Sequence, residues 1–307
     1  MTVLSRVFAA RLAAAFVVVA LAAPSVSARQ QPGEAKIHIS VTGEDGKAVT
    51  VLKQDITVTE DGQAREVLRL EQATEPPQIA LLVDDSQAAQ SAIAEMRTGL
   101  RRFVTAVLDK EPRAEIALIS FGERPTLLVD YTSNRELLER GVNRIFARPG
   151  SGAYMLEAIV SATRGIVKRG LPRPHIVVVG TEGIEFSNDS YARVLEALAD
   201  SGAAMWALTL TSGPHAGESE ETRHRAIVLG KGTADSGGRQ YQVLANTAIG
   251  VRLDAVANHI FNQYVVTFGR PESLMPPKDI KVTVGVPGAD VLAPATAPPA
   301  RKTGNRQ

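Results

Sequence analysis

The stretch Q-I-A-L-L-V-D-D-S, residues 78–86, decides the fold of this chain. Its first six residues form an almost continuous apolar run, which is typical of a strand buried on both faces of a parallel sheet. Acid and hydroxyl side chains, Asp84, Asp85 and Ser86, follow at once. Ligands of open parallel sheets bind beyond the carboxyl ends of the strands. The stretch therefore predicts a core strand and also the place of a functional site.

Three more apolar runs have the same character: Ile116–Ile119, Ile176–Val179 and Met205–Leu210. Helical spacing lies between them, clearest from residue 93 to 107, where apolar residues recur at every third or fourth position. Strand-helix alternation predicts an α/β domain over residues 76–261, with a doubly wound, mostly parallel, Rossmann-like sheet. Residues 127–129 follow the second run without an intervening helix, so we predict an antiparallel edge strand there.

Local signals add detail between these strands. Ser133 and Glu136 have the spacing of a capping box, which predicts that a helix begins after Ser133. Gly202 follows an apolar helical pattern and predicts its C-terminal end. The polar stretch 212–221 predicts a surface loop.

Both ends of the domain are flanked by strand patterns. Apolar and polar residues alternate at 37–41, and Asp61-Gly62 predicts a hairpin turn between residues 56–60 and 65–70. Strand patterns return at 264–268 and 280–284. We therefore expect an N-terminal β segment, 29–75, to pair with C-terminal strands, 262–293, in a small antiparallel β domain built from both chain ends.

The first and last residues have other compositions. Residues 1–28 carry two early arginines, a twelve-residue apolar run and small residues before a cleavage point after Ala28, which is typical of a signal peptide. Twelve helical residues rise about 18 Å, short of the roughly 30 Å hydrocarbon core. We expect cleavage, no membrane span afterwards, and an exported protein, periplasmic or secreted. Residues 294–307 are expected to form a disordered tail.

Composition excludes several classes of function. The formal net charge is +1, from 34 basic and 33 acidic residues, and aromatic residues make up 5%. This balance gives no reason to expect nucleic-acid binding. The absence of cysteine excludes disulfides and thiolate nucleophiles. The oligomeric state is left open.

Six stretches, which occur along the chain in the expected order, resemble the von Willebrand factor type A domain, and more narrowly the exported bacterial VWFA-related group. They are V-T-G-E-D-G-K-A-V (41–49), L-K-Q-D-I-T-V-T-E-D-G-Q (52–63), I-A-L-L-V-D-D-S (79–86), I-V-V-V-G-T-E-G (176–183), A-D-S-G-G-R-Q-Y (234–241) and N-Q-Y-V-V-T-F (262–268). The resemblance implies a Rossmann-like sheet with helices on both faces. It also implies a metal-ion-dependent adhesion site built from an Asp-x-Ser-x-Ser run, a distant Thr and a distant Asp.

That site is incomplete in this sequence. Asp84 and Ser86 match the run, whereas Ala88 replaces its second Ser, Ala153 the Thr, and Glu182 the distant Asp. The resemblance thus implies a degenerate site, with Asp84, Ser86 and Glu182 as the remaining candidate ligands. No cofactor is certain; weak binding of Mg²⁺ or another divalent cation stays open. Alternatively, Asp84 caps the following helix and Ser86 satisfies a loop amide without metal.

These expectations favour a non-enzymatic, exported protein–protein interaction module, with Asp85, Ser151 and Tyr154 on the partner-binding rim. One alternative is a small-molecule or nucleotide sensor that uses the crevice at the strand ends. Another is a hydrolase that depends on Ser86, although no G-x-S-x-G motif is present. The identity of the partner is not readable from the sequence.

Overall fold

A computed structural model describes residues 33–43, 46–211, 219–271 and 277–296. The predicted signal peptide, and residues 297–307 of the predicted tail, lie outside these ranges. Residues 294–296, which were also assigned to the tail, are held in place. Ala295 accepts a backbone hydrogen bond from Ile280 at 2.7 Å and donates one to Asp235 at 2.9 Å. The ordered chain therefore continues beyond the predicted boundary.

The described residues form strands and helices in the order expected of an α/β domain inserted into a β domain. The strands are β1 Gly33–Gly43, β2 Ile56–Glu60, β3 Gln63–Arg65, β4 Val67–Gln72, β5 Gln78–Val83, β6 Glu115–Ser120, β7 Thr126–Thr132, β8 Pro174–Thr181, β9 Ala204–Leu210, β10 Arg239–Val243, β11 Gln263–Arg270, β12 Ile280–Val284 and β13 Ala289–Leu292. The helices are α1 Ile93–Lys110, α2 Arg135–Asn143, α3 Met155–Arg169, α4 Tyr191–Ser201, α5 Glu220–Ile227, α6 Thr233–Asp235 and α7 Ile249–Phe261.

The central sheet has the strand order β10-β9-β8-β5-β6-β7. Neighbours pair in parallel except β7, which runs antiparallel to β6 at the edge, as predicted. From β5 the chain first builds β6 on one side and later β8 on the other. The carboxyl ends of β5 and β8 therefore form the topological switch point, where ligands of such sheets bind.

The central sheet is buried on both faces, which confirms the doubly wound prediction. Side chains of β5 alternate, with Ile79, Leu81 and Val83 in one core and Ala80 and Leu82 in the other. The first core is covered by α1, α2 and α7, the second by α3, α4 and the helical turn at 228–229. Full burial of each large apolar side chain contributes about 1.5–3 kcal/mol, so the apolar runs determine the architecture.

The two chain ends form the predicted β domain. A four-stranded sheet, β13-β1-β11-β4, packs against a three-stranded sheet, β12-β2-β3, around an apolar core. The predicted hairpin exists between β2 and β3. Its turn residues Asp61 and Gly62 have positive φ angles of 47° and 78°, as a tight two-residue turn requires. The second arm is shorter than predicted, because the chain crosses to the other sheet after Arg65 and continues there as β4.

Two local predictions need correction. The helix α2 is capped by Asn134, whose side chain accepts a hydrogen bond from the Leu137 amide at 3.0 Å, and not by Ser133. Residues 212–218 of the predicted loop 212–221 lie outside the described residues, and its last residues are not loop, since Ser219 caps α5 and Glu220 begins it. The predicted end of α4 is confirmed, since Gly202 adopts the left-handed conformation there. None of the helices in the described ranges is long and apolar enough to cross a bilayer.

Candidate functional site

Three loops meet at the carboxyl ends of β5 and β8. The first follows β5, the second precedes α3, and the third follows β8. Asp84 in the first loop hydrogen bonds Thr181 at the end of β8. Ala153 in the second loop forms an isolated parallel bridge with Glu185 in the third. The topology thus brings together positions 84, 153 and 182, although the first and last of them are 98 residues apart in the sequence.

Asp84 is fully buried and its carboxylate is occupied by protein donors. One oxygen, Oδ1, accepts a hydrogen bond from the Ser86 amide at 2.9 Å. The other, Oδ2, accepts from the Thr181 amide at 3.0 Å and from the Thr181 hydroxyl at 2.6 Å. Asp84 therefore ties the end of β5 to the end of β8. It does not cap α1, which begins only at Ile93.

Ser86 and Ala88 occupy the rest of the first loop. The Ser86 hydroxyl is buried and has no hydrogen-bond partner among the described residues, so it does not satisfy a loop amide. Ala88 packs closely against the third loop, since a Cβ placed on Gly183 would lie only 2.4 Å from the Ala88 Cβ. The methyl group at 88 therefore fills space next to a glycine that permits this approach.

Glu182 is half-buried and hydrogen bonds to residues at the end of β9. Its amide donates to the carbonyl of Leu210 at 3.3 Å, and its Oε1 accepts a hydrogen bond from the Thr211 hydroxyl at 3.5 Å. Both partners lie at the end of β9, which flanks β8 on the side opposite β5.

The donor set falls short of a tight magnesium site. Mg²⁺ requires six oxygens in octahedral order near 2.0–2.1 Å. Asp84 already accepts three hydrogen bonds, the Ser86 hydroxyl is a single available ligand, and positions 88 and 153 are alanine. In the described part of the chain no cluster of three or more His, Cys, Asp or Glu side chains is arranged to hold a metal ion. No chemical step can therefore be derived through a metal here.

Asp85 is not on the accessible rim, contrary to the prediction. It is 1% exposed, and its carboxylate accepts hydrogen bonds from the Gly122 amide at 2.6 Å and from Arg148 Nε at 2.9 Å. The hydrogen bond with Asp85 is the main cause of the raised pKa of Arg148. Arg148 also bonds Glu123 at 3.1 Å. Asp85 therefore holds the loop before α3 in place through Arg148. Because it is buried, it cannot contact a partner directly.

The other two predicted rim residues lie in that loop. Ser151 is half-buried, and its hydroxyl donates to the carbonyl of Arg148 at 2.9 Å. Tyr154 directly precedes α3, and its ring centroid lies 6.1 Å from that of Phe186. Both residues are at least partly accessible to a partner, as the prediction requires.

A feature that sequence reasoning missed is an extended segment, residues 183–187, here called the strap. Its outward side chains are Ile184, 55% exposed, and Phe186, 47% exposed. Its inward side chains are buried: Glu185 accepts a hydrogen bond from the Met155 amide at 3.0 Å, and Ser187 accepts one from the Glu157 amide at 3.2 Å. The strap thus caps the first turn of α3 and displays two apolar side chains. The only sequence signal is the short alternation I-E-F-S.

Burial has an electrostatic consequence for the strap. Removal from water raises the pKa of Glu185 to about 7, although hydrogen bonds from Ser187 and the nearby charge of Arg225 oppose the shift. Its Oε2 is buried without a hydrogen-bond partner among the described residues.

A cavity of about 410 Å³ lies elsewhere, beside α6, β10 and β13. Its walls include Thr233, Arg239 and Leu292, and none of the predicted site residues lines it.

Solved structures with similar folds come from several bacteria. The pilus adhesin SpaC from Lactobacillus rhamnosus GG, in its open conformation, aligns with a TM-score of 0.50 and 11% identity, over 82% of this chain and 50% of that one. A von Willebrand factor type A structure from Catenulispora acidiphila aligns with a TM-score of 0.48 and 12% identity, over 88% and 75%. BatB from Bacteroides thetaiotaomicron aligns with a TM-score of 0.43 and 15% identity, over 59% and 98%.

At such identities the likeness concerns the fold alone. No protein-family model matches the chain, and no curated protein matches it either.

Proposed function

We propose that this chain, whose α/β domain has the von Willebrand factor type A fold, is an exported, non-enzymatic protein–protein interaction module with a degenerate metal-ion-dependent adhesion site. The observation that carries the proposal is the state of Asp84. Its carboxylate is held by Ser86 and Thr181, while Ala88 and Ala153 provide no oxygen. Direct contacts at the rim then take the place of a bridging cation.

The rim offers a surface suited to such contacts. Ile184 and Phe186 of the strap are exposed, and Tyr154 lies beside Phe186. Aromatic side chains anchored on a rigid support are typical centres of binding energy in protein interfaces. The support here is the strap, fixed by Glu185 and Ser187 to α3. Ser151 lies in the adjoining loop and provides a polar contact at the edge.

The absence of catalysis is part of the proposal. A hydrolase needs its nucleophile within about 2.6–3.2 Å of a general base. The Ser86 hydroxyl is buried and has no hydrogen-bond partner among the described residues. An adhesion-type role would agree with the description of SpaC as a pilus adhesin, by analogy of fold alone.

Site-specific photo-crosslinking tests the rim. A photoreactive amino acid replaces Phe186 in the full chain, which is expressed in its host, and the same residue replaces Val251 in a control. Val251 is 59% exposed on α7, well matched in exposure but on a different element. We expect a discrete crosslinked protein from position 186 and not from 251. Equal products from both positions, or none from 186, would overturn the rim as the binding surface.

Calorimetric titration tests the state of the metal site. We expect the mature protein to show no sub-micromolar binding of Mg²⁺ or Mn²⁺, because the donor set is incomplete. A tight, stoichiometric signal that disappears in Asp84→Ala would contradict the degenerate site.

A further inference from the structure

Three arginines converge on the C-terminal end of α2 and find only neutral partners there. Arg97 Nε donates to the carbonyl of Ile145 at 2.7 Å, and Arg101 Nη1 donates to the Asn143 side chain at 3.0 Å. Arg144 Nη1 donates to the carbonyl of Leu128 in β7 at 3.2 Å. Among the described residues, none of the three arginines forms an ion pair. No direct ion pair within the described residues therefore neutralises the positive charges of these three arginines.

Neighbouring arginines on the same helices behave differently. Arg102 on α1 pairs with Asp254, and Arg135 on α2 pairs with Asp109. Among the described residues, the lack of an ion pair is therefore particular to Arg97, Arg101 and Arg144 and is not a general property of the arginines on these helices.

One exposed apolar side chain lies beside these charges. Phe146 is 61% exposed, and the Arg97 guanidinium lies over its ring at 4.0 Å from the centroid. We call the surface formed by Arg97, Arg101, Arg144 and Phe146 the arginine patch.

A purely structural explanation covers only part of the arginine patch. A buried backbone carbonyl needs a donor, which accounts for the bond from Arg97 to the buried Ile145 just beyond the end of α2. It does not account for Arg101, which binds a side chain, or for Arg144, which binds β7. Nor does it account for the exposure of Phe146.

We propose that the arginine patch docks an extended acidic segment of a partner protein, with carboxylates on the guanidinium groups and an apolar side chain on Phe146. Guanidinium groups bind carboxylates bidentately, and arginine with aromatic residues is the usual composition of binding hot spots. Arg97 and Arg101 are one helical turn apart, about 5–6 Å. Acidic residues at alternate positions of an extended strand lie about 6.6–7 Å apart on one face, which the flexible arginine side chains can span.

The proposal does not depend on the rim. The loop from Phe146 through Arg148 leads toward the rim, but no residue of the arginine patch belongs to the rim, so the double variant leaves the rim unchanged. An anionic membrane is the rival occupant. It is disfavoured because membrane-binding surfaces need several inserted apolar side chains and a broad basic face, whereas the arginine patch has one exposed apolar side chain, Phe146.

Fluorescence anisotropy tests the proposal with a labelled peptide of alternating glutamate and leucine. The mature protein is compared with Arg101→Glu/Arg144→Glu and with the control Arg140→Glu, since Arg140 on α2 is exposed and already paired with Glu136. We expect the double variant to bind at least about tenfold more weakly, equivalent to about 1.4 kcal/mol, and the control to change less than about twofold. Affinity for the native protein should fall as salt rises.

Three further measurements decide between interpretations. A peptide with lysine in place of glutamate should not bind. Absence of peptide binding, or equal binding by the double variant with an unchanged melting temperature, would overturn the proposal. Binding to vesicles containing phosphatidylserine, without peptide binding, would overturn it in favour of a membrane. Crosslinking at Phe186 in the double variant separates this outcome from the rim proposal, because that crosslink should persist.

Discussion

The imidazole Nδ1 of His175 in β8 accepts a hydrogen bond from the indole nitrogen of Trp206 in β9 at 3.4 Å. Trp206 also stacks on His259, with ring centroids 5.2 Å apart. His259 Nδ1 in turn hydrogen bonds the hydroxyl of Ser40 on β1 at 3.0 Å. Burial lowers the pKa of His175 well below its usual value and that of His259 to about 4. His259 on α7 and Ser40 on β1 meet at the junction between the α/β domain and the β domain. The lowered pKa values favour neutral imidazoles at this junction.

We expect acid to destabilise this junction. The unfolded chain takes up protons near pH 6.5, whereas folded His259 does so only near pH 4. Stability is therefore lost as the pH falls from about 6.5 and the loss levels off near 4. Around His259, Arg239 lowers the pKa further and Asp290 opposes it; around His175, Arg173 and His38 lower it.

Denaturant unfolding at several pH values measures this effect. The free energy of unfolding of the native protein should fall by on the order of 2 kcal/mol or more between pH 7 and 4.5. The variant His259→Gln should lose visibly less over the same interval. An identical slope in both proteins would show that the carboxylates elsewhere, and not His259, dominate the acid response.

Arg173 should be the most sensitive single residue at the junction. Its side chain is buried and donates to Gln263 Oε1 at 3.0 Å, to the carbonyl of Glu75 at 2.8 Å and to the carbonyl of Ile260. These acceptors belong to both segments where the chain crosses between the domains. Arg173→Met should cost about 3–5 kcal/mol, because it leaves several buried acceptors without donors. Hydrogen exchange should accelerate at residues 73–78 and 260–264; unchanged protection there would contradict this role.

The bond between Asp84 and Thr181 predicts a graded stability series. Thr181→Val removes the hydroxyl at 2.6 Å and should cost about 1–2 kcal/mol, whereas Asp84→Ala leaves three donors without an acceptor and should cost about 3–5 kcal/mol. Thermal unfolding measures both. Millimolar Mg²⁺ should raise the melting temperature of the native protein by less than about 1 °C, since an ion stabilises appreciably by mass action only when its concentration exceeds its Kd. A larger rise in melting temperature that is abolished in Asp84→Ala would contradict the proposal that the metal-ion-dependent adhesion site is degenerate.

The sequence predicted well wherever burial is complete on both sides. The runs that form β5, β6, β8 and β9 are apolar because both faces of these strands are covered. A continuous apolar run can be recognised in the sequence without knowledge of the strand's neighbours. The edge strand β10 was missed, since its residues are mostly half-buried and mixed in character.

The candidate site was predictable only in part. Positions 84 and 182 follow from strand ends, which a sequence reveals. The burial of Asp85 follows from Gly122 and Arg148, more than thirty residues away, and no local pattern shows that contact. The strap could not be predicted for the same reason, because the burial of Glu185 depends on its contact with the start of α3, thirty residues upstream.

Glu185 gives the strap a pH response whose sign can be worked out. Its folded pKa, about 7, lies above the unfolded value near 4.5. As the pH rises, the unfolded chain loses its proton first, so stability falls between about 4.5 and 7 and stays lower above. Glu185→Gln keeps an acceptor for the Met155 amide but cannot ionise. It should match the native protein at pH 5 and be more stable by about 1–2 kcal/mol at pH 8.

Glu185→Ala is the matched control for this prediction, since it removes the acceptor for the Met155 amide while Ser187 still accepts from Glu157, and it should cost about 1 kcal/mol or more at both pH values. Chemical denaturation of the three proteins at pH 5 and pH 8 provides the comparison. If Glu185→Gln were less stable than the native protein at pH 8, attraction to Arg225 would outweigh the desolvation of the carboxylate. The strap would then be held by charge, and rim binding should weaken as salt rises.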